Sequence, residues 1–130
     1  MQIINLMTSD PVTINPHENL SKAKSIMETG GFRRVPVVDD GRLVGILTER
    51  DLHKYSGFLE STRVNAAMRT VLVTLTPHNT VEDAARLMLK HKIGGLPIVA
   101  DGKLVGIVTT SDLLRAFLLV VAGTSQIMNP

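Results

Sequence analysis

The chain has 130 residues, enough for one domain or two very small ones that share a core. Hydrophobic residues make up 44% and charged residues 20%, an ordinary globular balance, while aromatics are only 3%, too few for a base-stacking platform for single-stranded nucleic acid. A net charge of +2 with no basic run longer than Arg33-Arg34 speaks against a DNA-binding face, and the absence of Cys rules out disulfides, a thiolate nucleophile and a Cys-ligated metal.

The first residues, Met1-Gln2-Ile3-Ile4-Asn5-Leu6-Met7, lack the basic start and long apolar core of a signal peptide. No apolar run reaches the ~20 residues that a membrane span needs. The expectation is a cytoplasmic protein with no membrane contact.

Pro11-Val12-Thr13-Ile14 is a short β-prone run closed by a proline turn at Pro16. A helix follows, with Leu20, Ala23, Lys24 and Met27 at helical spacing, Asn19 as its N-cap and Gly30-Gly31 as its stop. Val35-Pro36-Val37-Val38 reads as a strand that begins at a proline. Asp40-Gly41 supplies the positive φ angles of a tight hairpin turn. Leu43-Val44-Gly45-Ile46-Leu47 is then a short buried strand, with a glycine where close approach needs no side chain in the way. Thr48 and Asp51 have the spacing of a capping box, which starts a second helix. Residues His53 to Arg63 read as the helix end and a connector.

From there the pattern starts again, displaced by 61 residues: Gly45, Thr48, Asp51 and Leu52 return as Gly106, Thr109, Asp112 and Leu113. The same displacement carries Met7 to Met68, Val12-Thr13 to Val73-Thr74, Pro36 to Pro97 and Asp40-Gly41 to Asp101-Gly102, without a gap from Ile3 to Leu52. This is an internal duplication. The division is 1–62 and 63–130, each half reading β-α-β-β-α, an α+β pattern. Leu72-Val73-Thr74-Leu75, a helix from Thr80-Val81-Glu82-Asp83, Leu96-Pro97-Ile98-Val99 and a third strand through Ile107 fill the second copy. A unit of about 60 residues buries too little apolar surface to stand alone, so the two copies are expected to pack sheet to sheet about a pseudo-twofold axis, with clefts where they meet.

The last helix departs from its counterpart. Asp112 to Ala122 is apolar nearly all round, with Gly123 as its expected stop, whereas Asp51-Leu52-His53-Lys54-Tyr55-Ser56-Gly57 is half polar. The excess apolar surface must be covered by protein. Either it lies inside the monomer between the repeats, or it forms a homodimer interface that includes Phe117, Leu118 and Val121.

The doubled pattern of proline-started strand, Asp-Gly hairpin and Gly-x-x-Thr-x-x-Asp resembles a tandem pair of cystathionine-β-synthase (CBS) domains, a Bateman module, over residues 3 to 122. The resemblance implies adenosyl ligands (AMP, ADP, ATP or S-adenosylmethionine) in the clefts between repeats. It implies that Asp51 and Asp112 hold ribose hydroxyls and that Thr48 and Thr109 contact ribose or phosphate. Adenine would lie between Val12, Thr13 and Ile14, or Val73, Thr74 and Leu75, and the apolar positions Pro36, Ile46, Pro97 and Ile107. Arg33 and Arg34 would reach phosphate; Gly94-Gly95 stands in their place in the second copy. The chemistry fits, since a carboxylate can accept from both vicinal hydroxyls of a ribose.

Thr48/Asp51 and Thr109/Asp112 also read as helix caps alone. His17 and His78 repeat after proline as turn residues, and no metal site, catalytic constellation or resident cofactor is expected. The function expected is regulatory nucleotide sensing that acts on a partner protein, without catalysis. The alternative is a ligand-free interaction or assembly module.

Overall fold

The computed structural model describes the backbone of residues 1–128 and the side chains of residues 1–123. In chain order the elements are a 3-10 turn Ile3–Asn5, β1 Thr8–Ser9, α1 Leu20–Gly30, β2 Arg34–Asp39, β3 Arg42–Thr48, α2 Glu49–His53, α3 Val64–Ala67, α4 Val81–His91, β4 Gly95–Ala100, β5 Lys103–Thr109 and α5 Thr110–Met128. The α+β class holds, and both copies share a helix, two strands and a helix, α1-β2-β3-α2 and α4-β4-β5-α5, with local chemistry to match. Asp40 and Gly41 have φ of 51° and 79°, Asp101 and Gly102 of 52° and 76°, the paired positive values that a two-residue hairpin turn requires. Asn19 caps α1 by accepting from the Lys22 N–H, and Thr80 and Asp83 form the full capping box of α4. The Thr80 backbone N–H and the Asn79 side-chain amide donate to Asp83 Oδ2 and hold its carboxyl below the usual carboxylate range.

Two expectations change. Pro11–Ile14 and Leu72–Leu75 do not form strands. Each contributes one parallel bridge, Ile14 to Val37 and Leu75 to Ile98. The flanking Val12, Thr13 and Thr74 are exposed, so no partner strand extends the ladder. The last helix also does not stop at Gly123 but continues to Met128. A helical glycine costs only about 1 kcal/mol relative to alanine, and Gly123 does not adopt the left-handed φ of a C-terminal cap.

The chain divides into two compact units that differ from the two sequence repeats. One comprises Met1–Ser9, Val73–Ala100 and the chain from Val105; the other comprises Asp10–Leu72 and Asp101–Leu104. Each unit thus takes its leading segment from the other repeat. In the first, the Ile3 and Ile4 N–H groups donate to the Asn79 and Pro77 carbonyls, and β1 pairs with β5 at Thr8–Ile107. In the second, Val64 and Asn65 donate to Glu18 and Pro16, and Arg69 bridges Ile46. Every one of these partners is related by the 61-residue displacement.

The cores follow. Ile3 is buried with Leu75, Ala84, Met88, Leu96, Ile98 and Val108, and Val64 is buried with Leu20, Ala23, Met27, Val35, Val37 and Leu47. The strand glycines explain why the segments fit. A Cβ on Gly45 would lie 2.5 Å from Met68 Sδ and 3.0 Å from the Arg69 carbonyl oxygen, and one on Gly106 would lie 2.5 Å from Met7 Sδ and 3.0 Å from the Thr8 carbonyl oxygen. Thioethers can swing aside; backbone carbonyls held in a bridge cannot. Gly45→Ala and Gly106→Ala are each predicted to destabilise the chain by about 1–3 kcal/mol, the usual range for overpacking. Denaturant midpoints equal to that of the unaltered chain would refute this.

Candidate functional site

The site residues gather where β3 and β5 run into the helices that follow. At the end of β3, Asp51 Oδ2 accepts from the Thr48 N–H and the Thr48 hydroxyl, both at 2.9 Å, while the Asp51 N–H donates to Thr48 Oγ1 at 3.3 Å. Asp112 repeats this: its Oδ2 accepts from the Thr109 N–H at 2.8 Å and the Thr109 hydroxyl at 3.1 Å, and its N–H donates to Thr109 Oγ1 at 3.4 Å. Both carboxylates are buried, with residue exposures of 2% for Asp51 and 7% for Asp112. Capping thus occupies one oxygen of each. The other, Oδ1, meets a guanidinium in both cases.

The guanidiniums come from different places. Arg69 Nε lies 3.4 Å from Asp51 Oδ1, and Arg115 Nη2 lies 2.8 Å from Asp112 Oδ1. Arg115 belongs to the helix that Asp112 starts, three residues on. Arg69 belongs to the leading segment of the second repeat. The positions that correspond across the duplication are Lys54 for Arg115 and Thr8 for Arg69. Neither arginine was singled out in the sequence. Arg69 could have been, because it breaks an otherwise matched segment, Met7-Thr8 against Met68-Arg69.

In the unit that holds Asp51, the sheet has one face on the helices, carrying Val35, Val37 and Leu47. By strand alternation the other face carries Arg34, Pro36, Ile46 and Thr48. Ile14 donates its N–H to the Pro36 carbonyl at 3.1 Å, Pro36 lies opposite Ile46, and Ile46 lies opposite Arg69. Pro36, fully buried, and half-buried Ile46 thus sit side by side on this face, with Arg34 on one side of β3 and Arg69 on the other. Arg34 is half-buried, and that burial, with Arg33 beside it, pulls its pKa below the usual arginine range while leaving it charged.

Arg33 does not join this face. It lines a groove of roughly 550 Å³ on the helix side together with Met27, Phe32, Glu49, Leu52 and His53. The basic pair that the sequence presents as one feature is split.

In the other unit, Leu75 donates to the Pro97 carbonyl at 3.1 Å, and Ile107 lies opposite Thr8. Pro97 and Ile107 are buried, Val73 is half-buried and Thr74 exposed. Gly94 and Gly95 hold the backbone position of Arg33 and Arg34; the Thr110 N–H donates to Gly94 as Glu49 does to Arg33. Among the described residues no group of three or more His, Asp or Glu side chains is placed to hold a metal, and no helix is long and apolar enough to cross a membrane.

The CBS domain family profile matches residues 3–57 and 64–119. The CBS domain-containing protein YhcV of Bacillus subtilis is 39% identical over 110 residues, 82% of this chain and 79% of YhcV. Inosine-5'-monophosphate dehydrogenase of Staphylococcus aureus is 37% identical over 112 residues, 84% of this chain but only 23% of the dehydrogenase.

Among solved structures, AcuB from Vibrio cholerae superposes with a TM-score of 0.86 at 33% identity, covering 97% of this chain and 96% of that one. The CBS domain pair of protein MJ0100, in complex with 5'-methylthioadenosine and S-adenosyl-L-methionine, gives 0.83 at 28% identity over 90% and 95% of the two chains. CBSX2 in complex with AMP gives 0.83 at 29% identity over 92% and 97%. With both matched spans following the 61-residue duplication and together covering most of the sequence, the chain belongs to the CBS domain family as a tandem pair.

Proposed function

We propose that the chain is a non-catalytic regulatory module that binds adenosyl ligands, with Asp51 and Asp112 as the acceptors for ribose hydroxyls. The observation that carries this is the state of the two carboxylates. Each is buried, fixed by its cap through Oδ2, and among the described residues met at Oδ1 only by a guanidinium whose side chain stays partly exposed, 47% for Arg69 and 69% for Arg115. A fixed acceptor on a face that carries apolar side chains suits a nucleoside, whose base needs apolar contact and whose diol needs a carboxylate. The ligands in the MJ0100 and CBSX2 structures support the adenosyl class. Thr48 and Thr109 would share the ribose or phosphate, and Pro36 with Ile46, and Pro97 with Ile107, would face the base. Ligand occupancy would then bias a partner protein in the cytoplasm.

A thermal-shift series with AMP, ADP, ATP, S-adenosylmethionine and 5'-methylthioadenosine tests this. A ligand at 100 times its Kd stabilises by about 2.7 kcal/mol, a shift of roughly 2–8 °C for a domain of this size. No shift with any of the five would refute the adenosyl reading.

A second reading has its own observation: assembly as a homodimer through α5. Leu114, Phe117, Leu118 and Val121 form one stripe at i, i+3, i+4 and i+7, on the side of the helix opposite buried Asp112 and Ala116. All four are exposed, Phe117 at 61% and Leu118 at 62%, so the chain itself does not cover them. A twofold contact needs only one such self-complementary patch.

A further inference from the structure

We infer that Arg69 sets ligand selectivity at the Asp51 site, favouring adenosyl ligands with a phosphate tail over those with an uncharged tail. The inference rests on the reading that Asp51 holds the ribose, and it adds a residue supplied by the other repeat. The Arg69 backbone is held by two bonds to Ile46, at 2.9 and 3.0 Å, independently of its side chain, and the cap of Asp51 uses Oδ2, which leaves Oδ1 to Arg69. The Arg69–Asp51 contact is long, 3.4 Å, and the guanidinium side is half-open to water while the carboxylate is buried. The guanidinium is therefore stationed at the ligand-facing oxygen of Asp51 without being committed to it.

Its surroundings give the direction of the preference. Arg34, on the same face, stands opposite Thr48, while Arg69 stands opposite Ile46 on the other side of β3. Two strand spacings and a two-residue offset separate them by roughly 10–12 Å, a gap that two long side chains can close around a phosphate group. The face therefore carries two guanidiniums, of which Arg69 meets the buried Asp51 carboxylate. A phosphate tail gives Arg69 a bidentate partner when ribose takes its place on Oδ1. An uncharged tail gives it none, and ribose must then compete with it for Oδ1. The Asp112 site has no such pair, because Thr8 and Gly95 stand where Arg69 and Arg34 do.

Calorimetric titration with ADP and with 5'-methylthioadenosine, using Arg69→Gln and Arg69→Lys in an Asp112→Ala background, reads this out. Arg69→Gln is expected to weaken ADP about tenfold or more, as loss of a charge-assisted pair does, and to leave 5'-methylthioadenosine equal or tighter. Arg69→Lys should recover part of the ADP affinity. Both ligands weakening alike, or ADP indifferent to Arg69→Gln in a chain that still binds it, overturns the inference while leaving the ribose assignment in place. Full two-site stoichiometry in Asp112→Ala, or no binding by the unaltered chain, brings down the ribose assignment and this inference with it.

Discussion

Replacing Leu118 and Val121 together with glutamate is expected to convert a homodimer into a monomer at micromolar concentration. The magnitude follows from what the α5 stripe would bury. Each large apolar side chain taken fully out of water contributes about 1.5–3 kcal/mol. A twofold contact uses each of Leu114, Phe117, Leu118 and Val121 twice. The double substitution would place four carboxylates in that seam, where unpaired charges cost more than the lost apolar contact. Because all four positions are exposed in the single chain, the variant should fold unchanged, and its circular dichroism and thermal midpoint in the dilute limit provide the control. Sedimentation velocity decides. An unaltered chain that sediments as a monomer, or a double variant that stays dimeric, removes α5 as the interface.

Asp51→Ala and Asp112→Ala are each expected to abolish one of two adenosyl sites and leave the protein folded. Removing the acceptor of two ribose hydroxyls loses two hydrogen bonds to a charged group, about 1.5–3 kcal/mol each, or at least a hundredfold in affinity. The fold loses only a cap, roughly 0.5–2 kcal/mol. Neither substitution strands a buried cation, since the Arg69 side chain is about half exposed and that of Arg115 more so. Calorimetric stoichiometry should fall from two to one in each variant. Unchanged stoichiometry and affinity in both would leave the carboxylates as helix caps and nothing more.

The sequence discloses a good deal of this arrangement through local chemistry. Asp40-Gly41 and Asp101-Gly102 require positive φ, and Asn19, Thr48 and Thr80 carry the oxygen that a helix start needs, so turns and caps can be read before any packing is known. Strand content at Pro11–Ile14 cannot, because a β-prone run becomes a strand only if a neighbour continues to offer backbone partners, and here only Ile14 finds one. Arg69 was missed for a related reason. Its role depends on a long-range pairing with Ile46, about which neither hydrophobic period nor capping motif carries information. Arg33 and Arg34 show the opposite error: adjacency in sequence suggested a joint role, and alternation along a strand separates neighbours by design.

The exchange of leading segments makes the two halves of the gene product mutually dependent. Cutting the polypeptide between Thr62 and Arg63 would not release two finished domains. The first fragment would carry Ile3, the apolar plug of the other fragment's core, and the second would carry Val64, the plug of the first. Each piece alone would leave a socket of buried aliphatic side chains open to water and an orphan segment with nowhere to fold. Mixed, the two should reconstitute by trading plugs.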